Sequence, residues 1–87
     1  MFSKLLREVA GTEDLAILAP LLLSAEELKA INGRILVYKE LLLGKKSQRE
    51  IAKEYAISIA TITRGSNNLK SMSRAEKKLL QTLLIKE

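Results

Sequence analysis

The sequence has no cysteine and no histidine, one proline, four glycines, and aromatic side chains at only 3% of its 87 positions. Without cysteine there is no disulfide, and without either residue there is no thiolate or imidazole zinc site. Nucleophilic chemistry on a thiol and acid–base chemistry on an imidazole are excluded with them. No clustered carboxylate pair or phosphate-binding loop takes their place, so an enzyme is not expected. With few aromatics, the core must be built from Leu, Ile, Val and Ala. No uninterrupted apolar run reaches the roughly 20 residues that span a bilayer. The richest stretch, Leu15 to Leu23, is too short and contains Pro20. Near the start, Lys4 and Arg7 are followed by Glu8, Glu13 and Asp14 with no clean apolar block, which is not the layout of a secretory signal. The expectation is a cytoplasmic protein with no membrane partner.

What the chain does have is a 47% apolar fraction and an uneven charge. The fraction is that of a globule rather than a disordered segment. One domain over residues 1–87 is the natural division at this length. A domain this small has a poor surface-to-volume ratio, and with disulfides and zinc excluded, association with a second subunit is the remaining stabiliser. The formal net charge is +5. Residues 1–44 carry five basic and six acidic side chains, and residues 45–87 carry ten and four, so the whole excess lies in the second half. That asymmetry points to an anionic partner for one face, nucleic acid before membrane.

The pattern is all-α. Good helix formers dominate and no strand alternation is present. Three segments fit S-x-x-E: Ser24 to Glu27, Ser47 to Glu50 and Ser73 to Glu76. In this capping box the Ser hydroxyl accepts from the backbone N–H three residues on, and the Glu carboxylate accepts from the Ser N–H. Gly11 and Gly44 stand where helices should end in a left-handed residue. Six helices are predicted, at roughly 2–10, 13–22, 25–43, 48–55, 59–70 and 74–86, with Pro20 kinking or shortening the second. In the third, Leu28, Ile31, Ile35, Tyr38 and Leu42 form a heptad-like stripe that Val37 and Leu41 widen. The last carries Leu79, Leu80, Leu83, Leu84 and Ile85, more apolar side chains than one stripe needs. Either surface suits the chain's own core or a subunit interface.

Ser47 to Lys70 reads SQREIAKEYAISIATITRGSNNLK. Ile51 and Tyr55 lie four apart on one face, with the small Ala52 beside them where a second helix can cross closely. Ala56, Ile57 and Ser58 form a short turn in which Ile57 enters the core and Ser58 caps the next helix, which Ile62 anchors from inside. This is the grammar of a helix-turn-helix at about 48–70. The outer face of its second helix presents Ala60, Thr63, Arg64 and Asn67, small or hydrogen-bonding groups able to approach base edges. Lys45, Lys46, Arg49, Lys53, Arg64 and Lys70 outnumber Glu50 and Glu54 across the segment. Most helix pairs joined by short turns bind no DNA, so a helical dimerisation module remains open.

The run SQRE, followed by IATITRGSN and LK, resembles the trp repressor family. The likeness continues upstream without a gap through LLLSAEE, Arg34 and KELL-x-G, and covers about half the chain well. The first twenty residues are similar only in being helical. The resemblance implies an intertwined homodimer of six-helix chains. It also implies double-stranded palindromic operator DNA as partner and L-tryptophan as corepressor ligand in place of any cofactor or metal. For the ligand it implies Arg34 and Arg64 as cations on either face of the indole, and Arg64 with the Ser24 hydroxyl at the carboxylate. Carbonyls around Leu21 and Leu23 would meet the ammonium, and Thr61 and Gly65 the indole edge, a side chain at 65 colliding with the ligand. For DNA it implies Arg49 on a guanine, Ile59, Ala60 and Thr63 facing bases, and Gln48, Ser66, Asn67 and Lys70 on phosphates.

The sequence departs from the family pattern at several of these places. Ser24 stands for Thr and keeps the hydroxyl. Asn68 stands for a Ser near the ammonium, and its longer amide either accepts the same bond or alters ligand choice. Ala52 stands for a common Lys, a lost charge for which Lys53 compensates. The Ala56-Ile57-Ser58 turn lacks the family's Gly, so a reading head more ordered without ligand is expected. A regulator that binds DNA without a ligand, or with a different one, is the alternative.

Overall fold

A computed structural model describes residues 1–9 and 11–85. Its elements are α1 (Phe2–Glu8), α2 (Thr12–Leu22), α3 (Ala25–Leu43), α4 (Gln48–Tyr55), α5 (Ile59–Ser71) and α6 (Arg74–Leu84). The expected ends of the first and last helices at 10 and 86 lie outside the described residues. By backbone proximity the chain divides into two compact units, Met1–Ala30 and Ile31–Glu87, with the division inside α3.

Local sequence sets the helix ends. All three predicted capping boxes form. The Ser24, Ser47 and Ser73 hydroxyls each accept from the N–H of Glu27, Glu50 and Glu76 at 3.1 Å. In return the three serine N–H groups donate to those carboxylates at 2.8–2.9 Å. Gly44 closes α3 at φ +67°, a conformation in which a Cβ is strained, and its N–H donates to Glu40 O at 3.2 Å. Gly11 differs from expectation. Its φ of 161° is ordinary extended backbone, and it serves as the N-cap of α2 rather than a left-handed end to α1, which stops at Glu8 with an extended Val9. Pro20 sits inside the last turn of α2, which continues to Leu22.

In the first unit the apolar side chains are largely open: Phe2 is 63% exposed, Ile17 66% and Leu21 75%. The core lies in the second unit, where Val37, Ile51 and Ile62 are at most 1% exposed and Leu41, Ala52, Tyr55 and Ile57 pack against them. Each such buried aliphatic side chain contributes about 1.5–3 kcal/mol. The face α3 turns to this core is the flank of its stripe, Val37, Glu40 and Leu41. Leu28 and Ile35 of the stripe stay exposed, while Ile31, Tyr38 and Leu42 are half-buried. On α6, Leu79 and Leu83 are also exposed.

Candidate nucleic-acid interface

The helix-turn-helix follows the sequence pattern closely. Ser47 caps α4, and its hydrogen bonds to Glu50, backbone first, hold that carboxyl below its ordinary value. Ala56 ends α4 at φ 54°, ψ 42°, and is the one non-glycine residue with positive φ among those described. The reversal is secured by the Ile57 N–H, which donates to Ala52 O at 3.1 Å. Ser58 then caps α5: its hydroxyl accepts from the Thr61 N–H at 3.1 Å and lies 2.8 Å from the Thr61 hydroxyl. Ile51 and Ile62 are fully buried between the two helices, and Ile57 packs on them. The turn is thus fixed by two caps, one reversal and one apolar plug.

This packing leaves the predicted reading residues outside. Gln48, Arg49 and Lys53 on α4, and Ile59, Ala60, Thr63, Asn67 and Lys70 on α5, are exposed, with Ser66 half-buried. Ile59 is 47% exposed at the first position of α5. An apolar group there suits a thymine methyl better than it suits water.

The inner side of α5 meets α3 at Gly65, which is buried. A Cβ on Gly65 would lie 2.7 Å from Val37 Cγ1, closer than a real Cβ contact allows. The fold therefore supplies its own reason for glycine at this position, a close crossing of α3 and α5. Next to it, the Asn68 amide donates to the Tyr38 hydroxyl at 3.2 Å, a second tie between the same helices. Arg34 stands one turn before Tyr38 and Arg64 one turn before Asn68. Both are exposed, and among the described residues neither has a carboxylate within ion-pair distance.

The predicted ligand residues fall in both units. Arg34, Thr61, Arg64, Gly65 and Asn68 belong to the second; Leu21, Leu23 and Ser24 to the first. In the first unit α2 ends at Leu22 and α3 begins at Ala25. The last carbonyls of α2 carry the negative end of its dipole, and the first N–H groups of α3 the positive end of the other. The Ser24 hydroxyl accepts from the Glu27 backbone N–H. This corner thus offers acceptors and donors within a few residues.

Lys46 is the one basic residue of the segment that the structure reassigns. Its ammonium donates to a Glu54 carboxylate and, at 3.1 Å, to the Tyr55 hydroxyl, and lies 3.5 Å from Glu40. It counts in the basic excess of the segment, but its charge is engaged by Glu40 and Glu54. Glu40, 7% exposed, also accepts from the Tyr55 hydroxyl. Sequence reasoning missed this cluster and the Tyr38–Asn68 bond. The only available signal was a glutamate on the flank of an apolar stripe, with a lysine and a tyrosine nearby in the chain.

Over residues 1–84 the chain matches the family described as Trp repressor protein. It is 41% identical to a Trp operon repressor homolog of Vibrio parahaemolyticus over 81 residues, 93% of this chain and 79% of that protein. It is similar to the same extent to the Vibrio cholerae homolog, at 41% identity over 93% of this chain and 79% of that one. To the Photobacterium profundum homolog it is 40% identical over 95% of this chain and 81% of the relative. The helix-turn-helix and these likenesses define a transcription regulator, a DNA-binding repressor rather than an enzyme. The chain belongs to the Trp repressor family. Among the described residues, no helix is long and apolar enough to cross a membrane.

Proposed function

We propose that this chain represses transcription by binding, as a homodimer in the cytoplasm, a palindromic operator of tryptophan-related genes, with L-tryptophan as corepressor. The observation that carries this reading is the α3–α5 crossing. Two exposed arginines, Arg34 on α3 and Arg64 on α5, stand one turn from its tied residues, and among the described residues neither has a carboxylate partner. A guanidinium over an aromatic face gains roughly 0.5–2 kcal/mol, more when desolvated. The indole of tryptophan is a ligand that two such cations suit. By the family likeness, carbonyls around Leu21 and Leu23 would meet the ammonium, and Arg64 with the Ser24 hydroxyl the carboxylate. Thr61 and Gly65 would line the indole edge, and Asn68 would stand near the ammonium.

On DNA, Arg49 would reach a guanine, Ile59, Ala60 and Thr63 would face bases, and Gln48, Lys53, Ser66, Asn67 and Lys70 would hold phosphates. Helix-turn-helix dimers, Trp repressor among them, place two such helices in successive major grooves about one helical turn apart. The exposed leucines of α6 and the exposed Leu28 and Ile35 of α3 would supply apolar surface for a dimer. Ligand would act by population shift, favouring the spacing that fits both grooves.

Calorimetry with L-tryptophan, the wild type and Arg64→Ala tests the ligand. Saturable binding that falls at least about tenfold in the variant is expected. Equal heats from both would contradict it. A second reading, DNA binding with little ligand dependence, draws support from the fixed Ala56 turn and the Tyr38–Asn68 tie. It predicts the same DNA complex at nearly the same affinity without tryptophan.

A further inference from the structure

The second unit contains one polar cluster that none of the assigned DNA or ligand residues enters: Glu40 on α3, Lys46 in the α3–α4 connection, and Glu54 and Tyr55 on α4. Glu40 is nearly buried, and a carboxylate taken out of water is costly unless its oxygens are satisfied. Here one oxygen, Oε2, accepts from the Tyr55 hydroxyl and faces the Lys46 ammonium at 3.5 Å. Lys46 in turn donates to Glu54 and to the Tyr55 hydroxyl, and its Nζ lies 5.0 Å from the centre of the Tyr55 ring. An ammonium has three N–H donors. Three oxygen partners, Glu54, Tyr55 and Glu40, surround this one. The cluster also holds two carboxylates against one cation, a local balance that repels rather than attracts a phosphate.

We propose that Lys46 and Tyr55 are positioning residues for DNA binding: they form a strut that fixes α4 to the end of α3, and the Lys46 charge takes no part in holding DNA. This rests on the DNA-binding reading above. The strut joins the ends of the segment that must move for α4 to change its tilt. Gly44, the residue of that connection with positive φ, lies between Glu40 and Lys46. With the strut closed, Gln48, Arg49 and Lys53 are carried by α3 rather than by a free hinge. Breaking it leaves the competent orientation populated for only part of the time, and apparent affinity falls by that fraction.

Salt dependence separates a strut from a phosphate contact. Each lost phosphate contact flattens the plot of log affinity against log salt by about 0.9. A strut changes affinity at constant slope. The probe is a duplex that the wild-type protein enriches from a random pool in the presence of L-tryptophan. For Lys46→Met and Tyr55→Phe we expect a loss of roughly three- to tenfold at unchanged slope, with the double variant little worse than either single one. Lys53→Met is expected to flatten the slope. A Lys46→Met slope flattened like that of Lys53→Met, or affinities unchanged in both strut variants, would overturn the proposal. Amide hydrogen exchange over residues 48–55 provides an independent readout. It should quicken in Tyr55→Phe, which keeps the ring, and not in Lys53→Met; unchanged exchange in Tyr55→Phe would also overturn the strut. If the wild type enriches no duplex, the repressor reading fails, and exchange alone decides the strut.

Discussion

Gly65 is where a single atom decides the packing of the reading helix. A methyl at this position would press on Val37 Cγ1 at 2.7 Å. Overpacking of this kind costs about 1–3 kcal/mol, against the roughly 1 kcal/mol that alanine gains over glycine inside a helix. Gly65→Ala is therefore expected to lower stability in the wild-type background and to be neutral or stabilising beside Val37→Ala. Denaturant melts of the four-member cycle check the change of sign. Ala56 presents the opposite situation, a Cβ where none is wanted. At φ 54° an L-residue is strained by about 1–2 kcal/mol, part of which is offset by the unfolded-state freedom that glycine restores. Ala56→Gly should raise stability by about 0.5–1 kcal/mol, visible as a higher midpoint at unchanged slope. A lower midpoint would show that the turn is not held left-handed in solution.

At the scale of elements, the helix ends carry the pH response. Hydrogen bonds from Ser24 and Ser47, backbone first, lower the Glu27 and Glu50 carboxyls below 4.5, and the Lys46 ammonium does the same for Glu54. A carboxyl depressed in the folded chain contributes stability above its unfolded value, which is lost as pH falls through the folded one. Lys46 is raised above 10.5, chiefly by its bond to Glu54, and Tyr55 above 10.0, chiefly by its bond to Glu40. Groups raised in this way contribute below their unfolded values and lose that contribution as pH climbs. Thermal midpoints should therefore be flat through neutrality, and fall below about pH 4.5 and above about pH 10. Ser47→Ala should cost about 1 kcal/mol and remove part of the acid limb only. Legibility follows the same division. The caps, the turn and the pairing of Ile51 with Ile62 were readable because their partners lie within a few residues or on a helical repeat. The left-handed Ala56 and the extended Gly11 were not, because backbone angles follow from how the neighbouring helices are set. Glu40 was hard to read for a similar reason: its partners come from two other segments, and its place on the flank of an apolar stripe was the one hint in α3.

At the scale of the whole molecule, two features remain for partners to satisfy. Exposed leucines on α2 and α6 and the exposed Leu28 and Ile35 of α3 suit a second copy of the chain, and the outer faces of α4 and α5 suit DNA. The sequence made the second feature legible through IATITRGSN and its exposed small and polar groups. The charge of Lys46, counted in the basic excess of the segment, is engaged by Glu40 and Glu54. We expect the turn without glycine and the ties at Tyr38 and Glu40 to keep the reading head set without ligand. Amide exchange over residues 48–64 should therefore slow only modestly on adding L-tryptophan. Large ligand-induced protection would contradict this ordering. The most direct test of the account is titration of the enriched palindromic duplex with the full chain, with and without L-tryptophan, at two salt concentrations. Affinity should rise with tryptophan and fall steeply with salt at either ligand level. Equal affinity with and without tryptophan would contradict the corepressor role, and weak dependence on salt would contradict DNA binding itself.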